Sequence, residues 1–361
     1  MKILFISYFF DPYPGVGAKR VSYWADEILN YGIEPTVITA IEQKGNKPYP
    51  VHYVPNTKRK RKFSLFIKDE GYSWELDLVD FFEKNNLSNF DYILISGGPF
   101  MHMGISTYLK KIFKGTKVIL DFRDPFGINP RYKESFLKSF IKKYFDRNFC
   151  KNADDIITVN KFCKDLIQTD QNIQVIENGF DERAIKIYLE QNVHDDFLIC
   201  HAGSLYDDRD PRLFLNLLKE NSSLIKFEQY GNDTSFFDNY RKYSFFSYKG
   251  RYPYQELIGH LNKADACVLF TLGKAFESTT KVFDYIALNK RILIVTEGEP
   301  KTGNLHEITK VYPNVVWAQN NEITIKKAIE TLVNMEVKPF DNSRFSRKYS
   351  LGQLVKLLTE S

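Results

Sequence analysis

The stretch TTKVFDYIALNKRIL, residues 279–293, sets Lys281 and Asp284 one helical turn apart behind two threonines. Threonine at a helix start satisfies first-turn N–H groups, and charges placed there act on whatever the helix end faces. Two readings fit the spacing. In one, Thr279 or Thr280 caps a helix that carries an i,i+3 ion pair between Lys281 and Asp284. In the other, Thr280 and Lys281 meet a phosphate, and Asp284 accepts from both hydroxyls of a ribose.

Four other loops hold comparable chemistry. In DPYPGVGAKR (11–20), Gly15 and Gly17 precede a helix whose amino end suits a phosphate or a polar acceptor. It is not a dinucleotide fingerprint, because the third glycine is missing. In SGGPF (96–100), Gly97 and Gly98 permit close backbone approach to a ligand, and the nearby His102 reads as structural. LDFRDPFG (120–127) offers Asp121, Arg123 and Asp124 at a strand end. There an Asp–Arg structural pair competes with Arg123 or Asp124 touching sugar hydroxyls or an acceptor. HAGSLYDDRDP (201–211) turns at Gly203 and presents Arg209, which can grip a diphosphate bidentately. Asp208-Arg209-Asp210 also spells a D-x-D metal pattern, but the arginine would compete with a cation.

The elements that must position these loops alternate regularly. Strand-like runs fall at 2–10, 34–40, 91–97, 117–122, 155–160 and 173–181, separated by helix-period segments at 18–32, 72–86, 103–113 and 131–153. The second half repeats the pattern, with strands at 197–203, 225–231, 266–272, 291–297 and 314–318. Its helices are expected at 211–221, 253–263, 279–289, 304–311 and 321–335, with one more in the tail at 340–360. Strand–helix alternation implies parallel sheets with right-handed crossovers, twice over. The simplest architecture is α/β, two Rossmann-like domains facing each other across a cleft. Ligands of such sheets bind outside the carboxyl ends of the strands, where all five loops sit.

Length agrees with two domains, since 361 residues exceed one ordinary core. The hydrophobic share of 43% and charged share of 26% are those of a soluble globular protein. Cys150, Cys163, Cys200 and Cys267 show no pairing pattern, which points to a reducing compartment. The apolar opening run stops at Asp11 and two prolines, too short for a signal peptide or a membrane span. A cytoplasmic protein is expected, with no nucleic-acid partner. The net charge of +5 is uneven: residues 1–170 hold 26 Lys+Arg against 20 Asp+Glu, and residues 100–151 hold 12 against 4. A basic first half suggests an anionic partner such as a membrane surface or a phosphorylated acceptor, against a plain solvated face.

These five loops in this order resemble retaining GT-B glycosyltransferases of the GT4 type (group 1 glycosyl transferases), along essentially the whole chain. TTKVFDYIALNKRIL is similar to that family's PSKLFEYLAAGKPVL segment, and GSLYDDRDP, DFRDPF, ENGFD and KGRYPYQELIGHLNKADACV match in type and placement. The resemblance implies an N-terminal acceptor-side domain over 1–180, with 341–361 packing back on it. A nucleotide-sugar-binding domain would then cover 181–340. It assigns Gly15 and Gly17 to donor phosphates and acceptor, Arg209 to the diphosphate, Asp284 to the ribose, and Arg251 and Tyr252 to the base. The implied activity is transfer of a sugar, with retention, from a nucleoside diphosphate donor (UDP rather than GDP) to a saccharide or lipid-linked acceptor of the cell envelope. No metal or other cofactor is implied. Attachment at the inner face of the plasma membrane is implied for the basic-aromatic segments 58–68 and 136–151.

Three positions depart from the family. Ser204 replaces a frequent arginine, Phe276 stands where an E-x7-E pair would need an acid, and Arg123 replaces a common loop histidine. They keep other readings open: a nucleotide-sugar 2-epimerase, an inverting GT-B enzyme, or an inactive nucleotide-sugar-binding protein.

Overall fold

The structure, a computed structural model, describes residues 1–360 other than 62–66, 88, 186–195, 207–208, 221–223 and 278. The chain divides into two compact units, Met1–Asn178 with Ser350–Ser361, and Gly179–Tyr349. In the first, strands β1 (Lys2–Ser7), β2 (Glu34–Thr39), β3 (Val51–Tyr53), β4 (Tyr92–Ser96), β5 (Lys117–Phe122), β6 (Asp155–Thr158) and β7 (Ile173–Val175) form one parallel sheet, ordered β3-β2-β1-β4-β5-β6-β7. In the second, β8 (Phe197–Ala202), β9 (Ile225–Tyr230), β10 (Phe246–Gly250), β11 (Ala266–Thr271), β12 (Arg291–Thr296) and β13 (Val315–Gln319) form another, ordered β10-β9-β8-β11-β12-β13.

Strands such as KILFIS, YILIS and ACVLFT are apolar on both faces because helices cover both. Alternate residues then serve opposite cores. Leu4, Ile6, Ile93 and Ile95 pack with Trp74 and Leu78 on one side. Ile3, Phe5, Leu94 and Ile119 pack with Val21 and Trp24 on the other, joined there by Leu351, Leu354, Leu357 and Leu358 of the tail. In each sheet the strand order reverses once, between β1 and β4 and between β8 and β11. The loops leaving such a pair of strands diverge to opposite faces and leave a crevice at the carboxyl edge.

The differences from expectation are local. β3 and β10 were not anticipated: VHY spans three residues between prolines, and FSYKG lacks an apolar run. The helix expected over 131–153 is Phe136–Lys151, because Tyr132 turns back onto Asn129 and Ser135 is extended. The 103–113 segment splits into a 3₁₀ turn, Met101–Ile105, and a helix, Ser106–Ile112. The tail begins with a 3₁₀ turn, Ser343–Phe345, before the helix Arg347–Glu360. All four cysteines are free and buried. No helix among the described residues is long and apolar enough to cross a membrane. Residues 62–66 of the basic 58–68 segment lie outside the described residues.

Candidate functional site

The crevice between β8 and β11 gathers the strongest chemistry. Gly203, the residue after β8, has φ +140°, and its N–H donates to Tyr230 O at 2.7 Å. The Lys281 side chain lies against this backbone. A Cβ added at Gly203 would stand 2.1 Å from Lys281 Cε and 2.4 Å from its Nζ. Gly231 after β9 is packed as closely, since its Cβ would meet Gly203 O at 2.1 Å. The strand ends therefore form a floor free of side chains with one ammonium above it.

Arg209, from the loop after β8, reaches across to Glu277, from the loop after β11, and Nη2 donates to Oε1. Glu277 Oε2 is fixed by the Thr271 hydroxyl at 2.5 Å and the Leu272 N–H at 3.1 Å. Arg209 Nε is buried with no acceptor among the described residues. Lys281 has no hydrogen-bond or ion-pair partner among them. Its amine is pushed below the ordinary lysine range by burial first and by Arg209 second, with Asp284 opposing. Among the described residues, one of the two cations is thus compensated by Glu277 and the other is not.

Beneath the floor, Gln229 Nε2 donates to Gly203 O (3.0 Å) and Tyr230 O (3.1 Å), which leaves Oε1 as the acceptor for His201 Nδ1–H at 2.9 Å. His201 is buried and its pKa falls to about 3, first from burial and then from the Lys281 charge. It is a neutral support for the floor.

The ion pair considered between Lys281 and Asp284 does not form. Asp284 Oδ1 instead accepts from the Tyr254 hydroxyl at 2.5 Å, and that phenol is raised well above its usual pKa by burial and by the carboxylate. Thr280 does not cap with its side chain either. Its backbone is already helical, and the Val282 and Phe283 N–H groups bond to Thr279 O and Thr280 O. Thr280 therefore stands in the first turn, one residue before Lys281. Arg251 and Tyr252 follow β10, at the sheet edge two strands from β8, and both are exposed. The Tyr252 ring sits 4.5 Å edge-on from His260. Asp210 is engaged by Arg212 at 2.7 Å, and Asp208 lies outside the described residues.

The corresponding crevice of the first unit, between β1 and β4, is organised by Arg123. Its Nε donates to Gly97 O at 2.6 Å, Nη2 to Gly98 O at 2.9 Å, and Nη1 to Gly17 O. One guanidinium thus ties together the loops after β1, β4 and β5. Gly15 precedes the helix Val16–Glu27, whereas Gly17 lies inside its first turn. Gly15 is needed for space: a Cβ would stand 2.2 Å from the Tyr13 ring, itself stacked on Phe9. The buried pair is Arg20–Asp121, at 3.3 Å, in place of one between Asp121 and Arg123. Asp124 is exposed beside it. His102 is fully buried against Trp74 with its pKa lowered to about 3 by burial, consistent with a structural histidine.

Glu277, Tyr254, His201 and Gln229 were not among the sequence candidates. For His201 and Gln229 a signal existed, since a polar side chain in a strand buried on both faces must have a partner. Glu277 lies one residue from Phe276, where the resemblance calls for an acid, but its pairing with Arg209 and that of Tyr254 with Asp284 gave no signal, because only the fold brings them together.

No family model and no curated protein sequence matches the chain. Solved structures do match along its whole length. A glycosyltransferase from Rickettsia africae superposes with a TM-score of 0.69 at 12% identity, covering 99% of this chain and 98% of that one. The Anabaena HepE protein in complex with UDP gives 0.65 at 13%, covering 100% of both. The catalytic domain of starch synthase IV from Arabidopsis thaliana, bound to ADP and acarbose, gives 0.68 at 11%, covering 100% and 99%. With two α/β units, each built on one parallel sheet, this chain has the GT-B fold.

Proposed function

We propose that the protein is a glycosyltransferase that moves a sugar from a nucleoside diphosphate donor, UDP in preference to GDP, to a saccharide or lipid-linked acceptor of the cell envelope. The observation that carries this reading is the Lys281 ammonium, lying over the bare backbone of Gly203 at a strand-order switch point, with no carboxylate partner among the described residues. A diphosphate would complete that site. Among the described residues, neither Nζ of Lys281 nor Nε of Arg209 has a protein acceptor there. As the bond to the sugar breaks, the leaving diphosphate gains charge, and two cations held close to it stabilise that change. Gln229 and His201 keep the floor under the phosphates flat.

Asp284 is assigned to the ribose, with Tyr254 holding Oδ1 so that the carboxylate is oriented before the donor arrives. Arg251 and Tyr252 are assigned to the base, and Gly15, Gly17 and Asp124 to the acceptor side. Arg123 positions the loops of that side, since it donates to three backbone carbonyls. Retention of configuration and independence of metal ions belong to the same reading. It draws support from the bound UDP and ADP of the HepE and starch synthase structures.

Titration calorimetry with UDP tests it. Lys281→Met and Asp284→Ala should each weaken binding by about 1–3 kcal/mol, through loss of charge-assisted hydrogen bonds. UDP affinity equal to wild type in both variants would remove the reading. If UDP-glucose binds but no UDP is released with any cell-envelope acceptor, the inactive binding protein gains; Phe276, where the family carries an acid, is the residue that favours it.

A further inference from the structure

Three stretches of the second unit, far apart in sequence, meet behind the Asp284 carboxylate. One is its opening, residues 179–181, and another is its close, the turn Ser343–Phe345 with Arg347 just beyond. These two cross so tightly that a Cβ added at Gly179 would stand 2.5 Å from Phe345 O and 2.8 Å from Arg347 N. The third is the start of the helix Tyr254–Lys263, whose first residue donates its hydroxyl to Asp284 Oδ1 at 2.5 Å. Arg347 joins the three. It is buried, and its Nε donates to Gly179 O at 3.1 Å and its Nη1 to Asp181 Oδ2 at 3.4 Å. Its Cζ lies 6.0 Å from the centroid of the Tyr254 ring, within cation–π reach. Asp181 is held in turn by Arg183, whose Nη2 donates to Oδ2 at 2.7 Å.

A planar guanidinium fixed at two nitrogens is a stiff support, which an ammonium on a flexible stem is not. The same turn also bears on the helix Lys281–Ala287, because Phe345 packs 6.2 Å from Phe283, the residue before Asp284, and both rings are buried. A residue that only tied the two crossing stretches together would need no more than its bonds to Gly179 and Asp181. Arg347 also faces the Tyr254 ring, and that ring gives its hydroxyl to Asp284. Burial first and the Asp284 charge second keep the phenol protonated, with Arg347 opposing, so the phenol is the donor of this bond. We propose that Arg347, braced by Asp181, is a positioning residue for Asp284. It holds the Tyr254 ring, Tyr254 holds one carboxylate oxygen, and the aim of Asp284 at the 2′ and 3′ hydroxyls of a nucleoside diphosphate follows from both. Orientation fixed before binding raises affinity for the ligand that uses it. The inference rests on the donor reading, through the assignment of Asp284 to the ribose.

Titration calorimetry with UDP and 2′,3′-dideoxy-UDP tests it through the ratio of their affinities. Wild type should bind UDP about tenfold or more tightly, as hydroxyls donating to a carboxylate predict. In Arg347→Met that ratio should fall at least about threefold, while dideoxy-UDP affinity stays within about twofold of wild type, because the change acts only through Asp284. Arg347→Lys should recover part of the ratio by returning a cation to the ring. Tyr254→Phe should lower the ratio as well, and the double variant should lose no more than Tyr254→Phe alone, since both residues act on one carboxylate. If circular dichroism shows Arg347→Met unfolded, Asp181→Asn carries the same comparison, because it loosens the guanidinium and keeps the bond to Gly179 O. A wild-type ratio in the variant, an equal loss for both probes, or additive losses in the double variant overturns the inference and leaves Arg347 a structural tie. Wild type that binds neither probe, or both alike, removes the ribose assignment and this inference with it. Discrimination kept by wild type and variant alike removes the inference alone.

Discussion

At Gly203 two demands coincide, a φ of +140° and a lysine side chain lying on the backbone. Gly203→Ala meets both obstacles at once. Its Cβ must displace Lys281 and adopt a conformation that L-residues avoid. UDP affinity should fall at least tenfold in calorimetry, on the order of 1.4 kcal/mol, as Lys281 loses its position. Affinity equal to wild type would show that Lys281 reaches its ligand from elsewhere. The sequence placed Gly203, Arg209, Thr280, Lys281 and Asp284 in loops or helix starts after strands, as found. One of its two readings paired Lys281 with Asp284, because they are one turn apart. The structure instead gives Asp284 to Tyr254 and lays Lys281 over Gly203. Proximity along a helix permits a pair, whereas the direction of each side chain depends on what packs beside it.

The helix Phe136–Lys151 shows how an element divides its two faces. Its inner face carries Asp146, fully buried, with Oδ2 accepting from the Gln168 N–H at 3.0 Å and Oδ1 without a partner among the described residues. Burial pushes its pKa up to about 6. A carboxyl group whose folded pKa lies above its unfolded value stabilises the fold while protonated. That contribution is complete below about pH 4 and is lost as pH rises through about 6. The change is on the order of 3 kcal/mol for a shift of about two pKa units. Asp146→Asn should remove this component, so its urea midpoint should gain on wild type between pH 4 and pH 7. A constant difference between the two proteins across that range would mean that Asp146 ionises normally. The helix period was legible in the sequence, and so were the basic and aromatic residues. Which arc faced outward was not, because Phe, Leu and Ile occur on both sides.

For the whole molecule, the chain returns on itself. The helix Arg347–Glu360 begins in the second unit and belongs to the first from Ser350 onward. There Leu354 is fully buried in the cluster of Val21, Trp24 and Leu94, and the Tyr92 hydroxyl donates to Leu358 O at 2.8 Å. Leu354→Ala should lower unfolding free energy by about 2–5 kcal/mol in urea titration, as buried leucine truncations do. A change near zero would mean that the tail does not complete this core. Beside the two points where the chain changes unit, residues 179–181 and 345–347 run together. Phe180 N–H bonds to Phe345 O, Arg347 N–H bonds to Phe180 O, and Arg347 pairs with Asp181 at 3.4 Å.

What the sequence determined by itself was the alternation of strand and helix, and with it two parallel sheets with chemistry at the strand ends. These follow from periodicity, which is a local property of the chain. It also placed the loops that hold Arg123 and Arg209 and the helix start that holds Lys281. Only the tertiary structure decided which partners those residues take. Arg123 spends its donors on the carbonyls of Gly17, Gly97 and Gly98, and Arg209 is met by Glu277 from 68 residues away. Such contacts arise where a sheet's strand order reverses, bringing together loops whose separation in sequence carries no signal of their distance in space.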